Sequence, residues 1–167
     1  MCTGTHTHLL ALTTMNNELI NEIINFDQKL MQGIVDNYDP DRRRNGLTRE
    51  LKEGAEIIIN RNDKKELIGY IEFLPKDNNE LYVSSLQSST YFFQRRWTKK
   101  IFEYLTLHNE MTISSSVHKN NIQSINFHKK LGFKIVETGN RIRFETKVQD
   151  LLTILEPLYK ELKQQQI

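Results

Sequence analysis

The sequence predicts one α/β domain built on a mixed sheet, and three observations point there. The apolar period switches between helical and strand spacing along the chain. Three short strands follow one another across tight turns, which implies an antiparallel meander. A helical stretch then lies between two strands of the same sheet, which favours a right-handed crossover and a parallel pair.

Taken in order, Leu9 to Thr13 reads as a short strand or part of a disordered lead-in. Leu19, Ile20, Ile23, Ile24, Phe26 and Leu30 then recur at the spacing of an amphipathic helix, with Asn16 or Asn17 available as its cap. Asp39-Pro40-Asp41 breaks the chain, and a shorter helix around Leu47 to Lys52 ends at Gly54. Strands are predicted over Glu56 to Asn60, Glu66 to Leu74 and Leu81 to Leu86, with polar turns at Asn62–Lys65 and Lys76–Asn79. Tyr91 to His108 is helical, with Trp97, Ile101, Tyr104, Leu105 and His108 on one face. Met111 to Val117 is a strand, and Asn121 to Leu131 a helix stopped by Gly132. Lys134 to Glu137 and Arg141 to Val148 make a hairpin around Gly139-Asn140. A last apolar stripe from Val148 through Leu162 must dock on the domain or on a second copy of the chain. The organisation is thus a lead-in over 1–14, a domain over 15–148 and a C-terminal amphipathic helix over 149–167.

Composition narrows the function classes. Lys and Arg total 23 against 21 Asp and Glu, a net charge of +2 that gives no strong push towards nucleic acid or an anionic membrane. The single cysteine, Cys2, allows no internal disulfide and suits a reducing cytosol, so a cytoplasmic protein is expected. No stretch reaches the roughly 20 apolar residues of a membrane-spanning helix, and no secretory leader is apparent. His6 and His8 lie in the lead-in without metal-site spacing. There is no phosphate-binding Walker loop, no dinucleotide glycine fingerprint, no zinc spacing and no nucleophile elbow.

The segment Asn121-Ile-Gln-Ser124-Ile-Asn-Phe127-His128-Lys-Lys-Leu131-Gly132-Phe133 resembles the signature of the GNAT superfamily of N-acyltransferases, in which a run similar to Phe-Tyr-Glu-Lys-Leu-Gly-Phe is usual. Leu67-Ile68-Gly69-Tyr70-Ile71, followed by Leu81-Tyr82-Val83, resembles the central meander of that family, and the element order agrees from Asn16 to Val148. The resemblance implies a GNAT-like fold: an antiparallel meander joined to a splayed parallel strand pair, flanked by helices, here with an extra C-terminal helix. It implies acetyl-CoA as co-substrate, held in the splay between the strand ending near Leu86 and the strand from Met111. Leu86, Gln87 and Ser88 are the expected backbone partners of the pantetheine arm, and Asn121 helps to hold it. No metal is implied.

Two positions depart from the family pattern. The pyrophosphate loop, ordinarily glycine-rich so that bare amides can approach phosphate at a helix N-terminus, is replaced by Phe93-Gln94-Arg95-Arg96-Trp97-Thr98. Gln94 to Lys99 are the cofactor-binding positions by alignment, and two readings compete: Arg95, Arg96, Lys99 and Lys100 hold the phosphates by charge-assisted hydrogen bonds, with Gln94, Trp97 and Thr98 beside them, or the CoA site is lost. A solvated basic helix face explains the same cations. The second departure is His128, which stands where a tyrosine usually protonates the departing thiolate, a role that histidine can fill near neutral pH. For a general base the candidates are Glu72 and Glu80 in or beside the meander, with His118 or a water chain as alternatives. Arg42-Arg43-Arg44 reads as a surface charge run.

The reading is an acyl-CoA-dependent N-acetyltransferase acting on a primary amine by direct attack. The alternative is a catalytically inactive GNAT-like binding module, with the C-terminal helix as a homodimer contact. A nucleic-acid module would rest on one tryptophan among basic residues.

Overall fold

The computed structural model describes the backbone of residues 4–32, 37–89 and 95–164, with side chains described from residue 17 and, in the third segment, from residue 97. The elements are α1 (Gly4–Met31), α2 (Pro40–Lys52), β1 (Glu56–Arg61), β2 (Leu67–Lys76), β3 (Glu80–Ser88), α3 (Arg95–Thr106), β4 (Thr112–His118), α4 (Ile122–Lys130), β5 (Lys134–Glu137), β6 (Arg141–Lys147) and α5 (Val148–Gln164). The six strands form one sheet in the order β1-β2-β3-β4-β6-β5. All neighbours are antiparallel except β3 and β4, which α3 joins as a parallel pair.

Both faces of the sheet are covered. On one side Ile20, Ile23 and Ile24 of α1 and Leu47 of α2 pack on Leu67 and Tyr70. On the other, Trp97, Ile101 and Leu105 of α3, Ile125 of α4 and Leu151 and Leu155 of α5 close over Phe73, Leu81, Ile113 and Phe144. The C-terminal stripe docks on its own domain, where Tyr159 stacks on Phe102 of α3 with ring centres 4.2 Å apart.

The structure differs from the sequence reading at two places. Leu9 to Thr13 is neither strand nor irregular lead-in but part of α1, which begins at Gly4 and runs through the expected Asn16 and Asn17 cap. The Asp39-Pro40-Asp41 break is a helix start: the Asp39 carboxylate accepts from the amides of Asp41 and Arg42 at 3.0 Å each, and Pro40 occupies the first turn, where its missing N–H costs nothing. The three arginines thereby become part of α2, and Arg43 turns inward. The segment 91–94, where a helix was expected to begin, lies outside the described residues.

Gly132 ends α4 with φ +79, and a Cβ there would come within 2.8 Å of Ile154 Cδ1 on α5. Gly132→Ala is expected to lose about 1–2 kcal/mol, the order of the left-handed penalty for a residue with a side chain. Urea unfolding checks this, and a second substitution, Ile154→Ala, should recover only the steric part.

Candidate active site

The strand pair β3 and β4 determines where a ligand can enter. Their parallel ladder runs from Glu80 opposite Thr112 to Val83 opposite Ser115 and stops there. Beyond it, in the strand ladders of the described residues, Ser85 to Ser88 pair with β2 and Ser116 to His118 with β6. The cause lies in β3 itself. Glu72 faces Ser85 and Phe73 faces Val83, so Ser84 is an extra residue with no partner, a bulge that bends the strand away from β4. The bulge also switches which face each side chain meets: Leu81 and Val83 before it and Leu86 after it all join the α3 side, whereas the Ser85 hydroxyl lies on the other face, 3.1 Å from that of Tyr70. Among the described residues no strand continues the β3–β4 ladder beside Ser85 and Leu86, at the open end of a parallel pair where ligands commonly sit in α/β sheets.

Beside this splay lies an apolar cavity of about 50 Å³, measured as the volume open to the centre of a water molecule. Val83 and Leu86 of β3, Ser115 of β4, Ile101 of α3, His128 of α4 and Leu155 of α5 are among its walls.

His128 is 8% exposed and stacks on Phe144 with ring centres 4.7 Å apart. Its Nδ1 lies 2.7 Å from the Ser124 carbonyl oxygen, which can only accept, so Nδ1 carries the proton. Nε2 is therefore an acceptor, and the Ser115 hydroxyl donates to it at 2.5 Å. Burial lowers the His128 pKa below its ordinary value, although the bond to Ser124 acts in the opposite sense. The ring is thus a neutral, oriented base in its resting state, not a standing acid.

Glu72, a general-base candidate by sequence, is 0% exposed and lies on the face covered by α1 and α2. Arg43 Nη2 donates to its Oε2 at 2.9 Å and to the Tyr70 hydroxyl at 3.2 Å, while Arg43 Nε donates to Asp27 at 3.2 Å. Tyr70 in turn donates to Asp27 at 2.8 Å. Glu72 Oε1 and Glu50 Oε2 are buried without a hydrogen-bond partner of their own. Burial, reinforced by a bond shared with Glu50, pushes Glu72 up to about 7 against the pull of Arg43. Burial raises Asp27 as well.

That shift has a sign. Between its ordinary 4.5 and about 7, Glu72 holds a proton in the folded chain that the unfolded chain releases. Its contribution is fullest below the lower value and is lost as the pH rises through the upper one, by up to about 3 kcal/mol. Asp27 adds a slope of the same sign, and His128 opposes it below its ordinary value because unfolding lets it take up a proton. Glu72→Gln removes the Glu72 part alone, so its melting temperature should fall less than the parent's between about pH 5 and about pH 8. Parallel curves would contradict the assignment.

The remaining candidates divide clearly. Glu80 sits at the paired end of the β3–β4 ladder, about 20 Å of strand from Leu86 at the usual rise per residue. Arg143 donates to it at 2.6 Å and Ser114 also donates. Burial raises its pKa, but these bonds and the Arg143 charge outweigh that and hold it below the usual range. Leu86, Gln87 and Ser88 lie on the part of β3 beyond the parallel ladder, paired with β2. Arg95 and Arg96 open α3, and Gln94 lies outside the described residues. Trp97 points into the core, where its indole N–H donates to the Ile58 carbonyl at 3.2 Å; Thr98 is also buried. Lys99 lies 3.9 Å from Glu103. Asn121 caps α4 by accepting from the Ser124 amide at 3.0 Å. His118 is exposed at the end of β4. Among the described residues no group of three or more His, Cys, Asp or Glu could hold a metal ion, and no helix is long and apolar enough to cross a membrane.

Comparison with solved structures agrees with this geometry. A GNAT-family acetyltransferase from Staphylococcus aureus superposes with a TM-score of 0.60 at 14% identity, over 81% of this chain and 94% of its own. The PaiA N-acetyltransferase of Thermoplasma acidophilum, in complex with coenzyme A, gives 0.58 at 19% identity over 78% and 93%. The chain has the GNAT fold. Spermidine N-acetyltransferase SpeG of Vibrio cholerae, in a mutant form, shares the GNAT architecture at 0.57 and 14% identity, over 80% of this chain and 92% of its own. No sequence-family profile and no curated protein sequence matches the chain. At these identities the GNAT likeness concerns the fold; the chemistry rests on this chain's own residues.

Sequence reasoning missed the inward Arg43, the Ser84 bulge and Ser115. Arg43 was hidden by its neighbours in a basic run, although the Asp39-Pro40 helix start would have put it inside α2. A bulge leaves no sequence signal when a serine forms it.

Proposed function

We propose that this protein is an acyl-CoA-dependent N-acyltransferase that moves an acetyl group from acetyl-CoA to a primary amine. The observation that carries the reading is the splay: after Val83 and Ser115 the parallel pair opens, and the freed edge of β3 borders an apolar cavity. A pantetheine arm can add to such an edge as a further strand does, its amides pairing with backbone near Leu86 and Ser88. A backbone N–H there would polarise the thioester carbonyl.

The amine attacks that carbonyl directly, with both substrates held in register, so positioning supplies much of the rate. The C–N bond forms, the C–S bond breaks, and the proton lost by the new ammonium must reach the departing thiolate. His128 Nε2, an acceptor in the resting tautomer, is placed to take that proton and deliver it. Glu72 is linked to the Tyr70 and Ser85 hydroxyls by way of Arg43, and its role is to tune that face of the sheet. At the phosphate end, Arg95 and Arg96 at the start of α3 take the place of the glycine loop. The apolar stripe of α5 is packed on α3, which weakens the case for a homodimer through that helix. A cytoplasmic location fits the lone Cys2.

Calorimetric titration with acetyl-CoA, free CoA and the Arg96→Ala variant tests the reading. Saturable micromolar binding, weakened at least tenfold by the substitution, is expected, a loss of about 1.4 kcal/mol. No binding at millimolar acetyl-CoA would favour the non-catalytic module, for which the missing loop glycines are the argument.

A further inference from the structure

The Ser115–His128 pair has the parts of an activated nucleophile. Ser115 is 5% exposed and is the last β4 residue in register with β3, so it stands at the root of the splay. Its hydroxyl already donates to His128 Nε2 at 2.5 Å, and the imidazole is fixed by a third group, the Ser124 carbonyl, at 2.7 Å from Nδ1. Nucleophile, base and orienting acceptor within hydrogen-bond reach are what serine-based covalent catalysis needs. The stack of His128 on Phe144 holds the ring plane, and Ser115 and His128 both line the apolar cavity that adjoins the free edge of β3. The pair lies on the α3 and α4 side of the sheet, whereas Tyr70, Ser85 and Glu72 face the α1 and α2 side.

We infer that Ser115, with His128 as its base, takes the acyl group from a short-chain acyl-CoA, giving the protein a thioester-hydrolase activity when no amine is present. The inference rests on the acyl-CoA site proposed above. In the first step Ser115 Oγ bonds to the thioester carbonyl carbon and its proton passes to His128 Nε2. The C–S bond breaks, the thiolate takes that proton from Nε2, and CoA leaves as the free thiol. In the second step a water adds to the acyl ester, giving its proton to Nε2, and Ser115 Oγ recovers it as the carboxylic acid departs. The sum is acyl-CoA and water to carboxylic acid and CoA, with no oxidant or metal required. The cavity, about 50 Å³ and apolar, suits an acyl chain of a few carbons.

The test uses the whole chain with acetyl-CoA and butyryl-CoA in the absence of amine. Intact-protein mass spectrometry on acid-quenched samples should show one added acyl group, mapped by peptide to Ser115, and free CoA should accumulate. Ser115→Ala should lose both signals by at least a hundredfold at acyl-CoA concentrations that calorimetry shows to saturate the variant. Hydrolysis by the parent should rise with pH through the titration of His128 and level off, a profile that a merely structural pair would not produce. Ser115→Cys, a second variant should alanine disturb the fold, should retain the acyl adduct on residue 115. Acyl-CoA binding without adduct or hydrolysis in the parent overturns this inference and leaves the transferase reading intact. Failure to bind either acyl-CoA overturns both.

Discussion

Arg43→Ala is expected to lower the unfolding free energy by about 3–5 kcal/mol, the usual effect of removing one partner from a buried ion pair. The side chain bridges Asp27, Tyr70 and Glu72, whose carboxylates are almost wholly buried, so its loss leaves two acids without their cation. Tyr70 and Glu72 are on β2, Asp27 on α1 and Arg43 on α2, so this cluster also fastens both helices to the sheet. Hydrogen exchange should accordingly accelerate in α1 and α2 before it does in α3. Arg43→Met should be milder, because the stem's apolar contacts are kept. Equal losses from alanine substitution at Arg43 and at the exposed Arg42 would contradict the cluster's role.

Leu86→Trp is the second large effect, and it falls on function. Leu86 is the first cavity-lining residue of β3 after the bulge. An indole there fills the space that a pantetheine arm and acyl group would need. Acetyl-CoA affinity should drop at least a hundredfold, about 2.7 kcal/mol at the tenfold-per-1.4 conversion. Overpacking a wall that borders empty space should cost no more than about 1–3 kcal/mol of stability. Calorimetry and chemical denaturation on the same preparation separate the two quantities. Undiminished affinity would place any acyl-CoA site elsewhere.

Much of the fold was legible from local rules. The turns at Asn62–Lys65 and Lys76–Asn79 announced the meander, Gly132 the end of α4, and the helix between β3 and β4 the parallel pair. What escaped depended on contacts distant in sequence. The lead-in around Leu9 lacks a strong helical period, yet it continues α1. Nothing near Glu72 in the sequence shows that Arg43, 29 positions earlier, meets it beneath two helices. His128 was marked by its place in the signature run, but its proton position was not, since that follows from Ser115, 13 residues away on β4, and from the Ser124 carbonyl. Trp97 and Thr98 stood in the phosphate loop by alignment alone, and their burial, with Trp97 bonded to the Ile58 carbonyl of β1, depends on contacts distant in sequence.

Amide hydrogen exchange along β3, with and without saturating acetyl-CoA, tests the central claim most directly. If the cofactor adds to the freed edge beyond the Ser84 bulge, amides within Ser84 to Ser88 should slow on binding while those of β5 and β6 stay unchanged. Exchange in this segment that is unaltered under saturating ligand would contradict the splay as the acyl-CoA site.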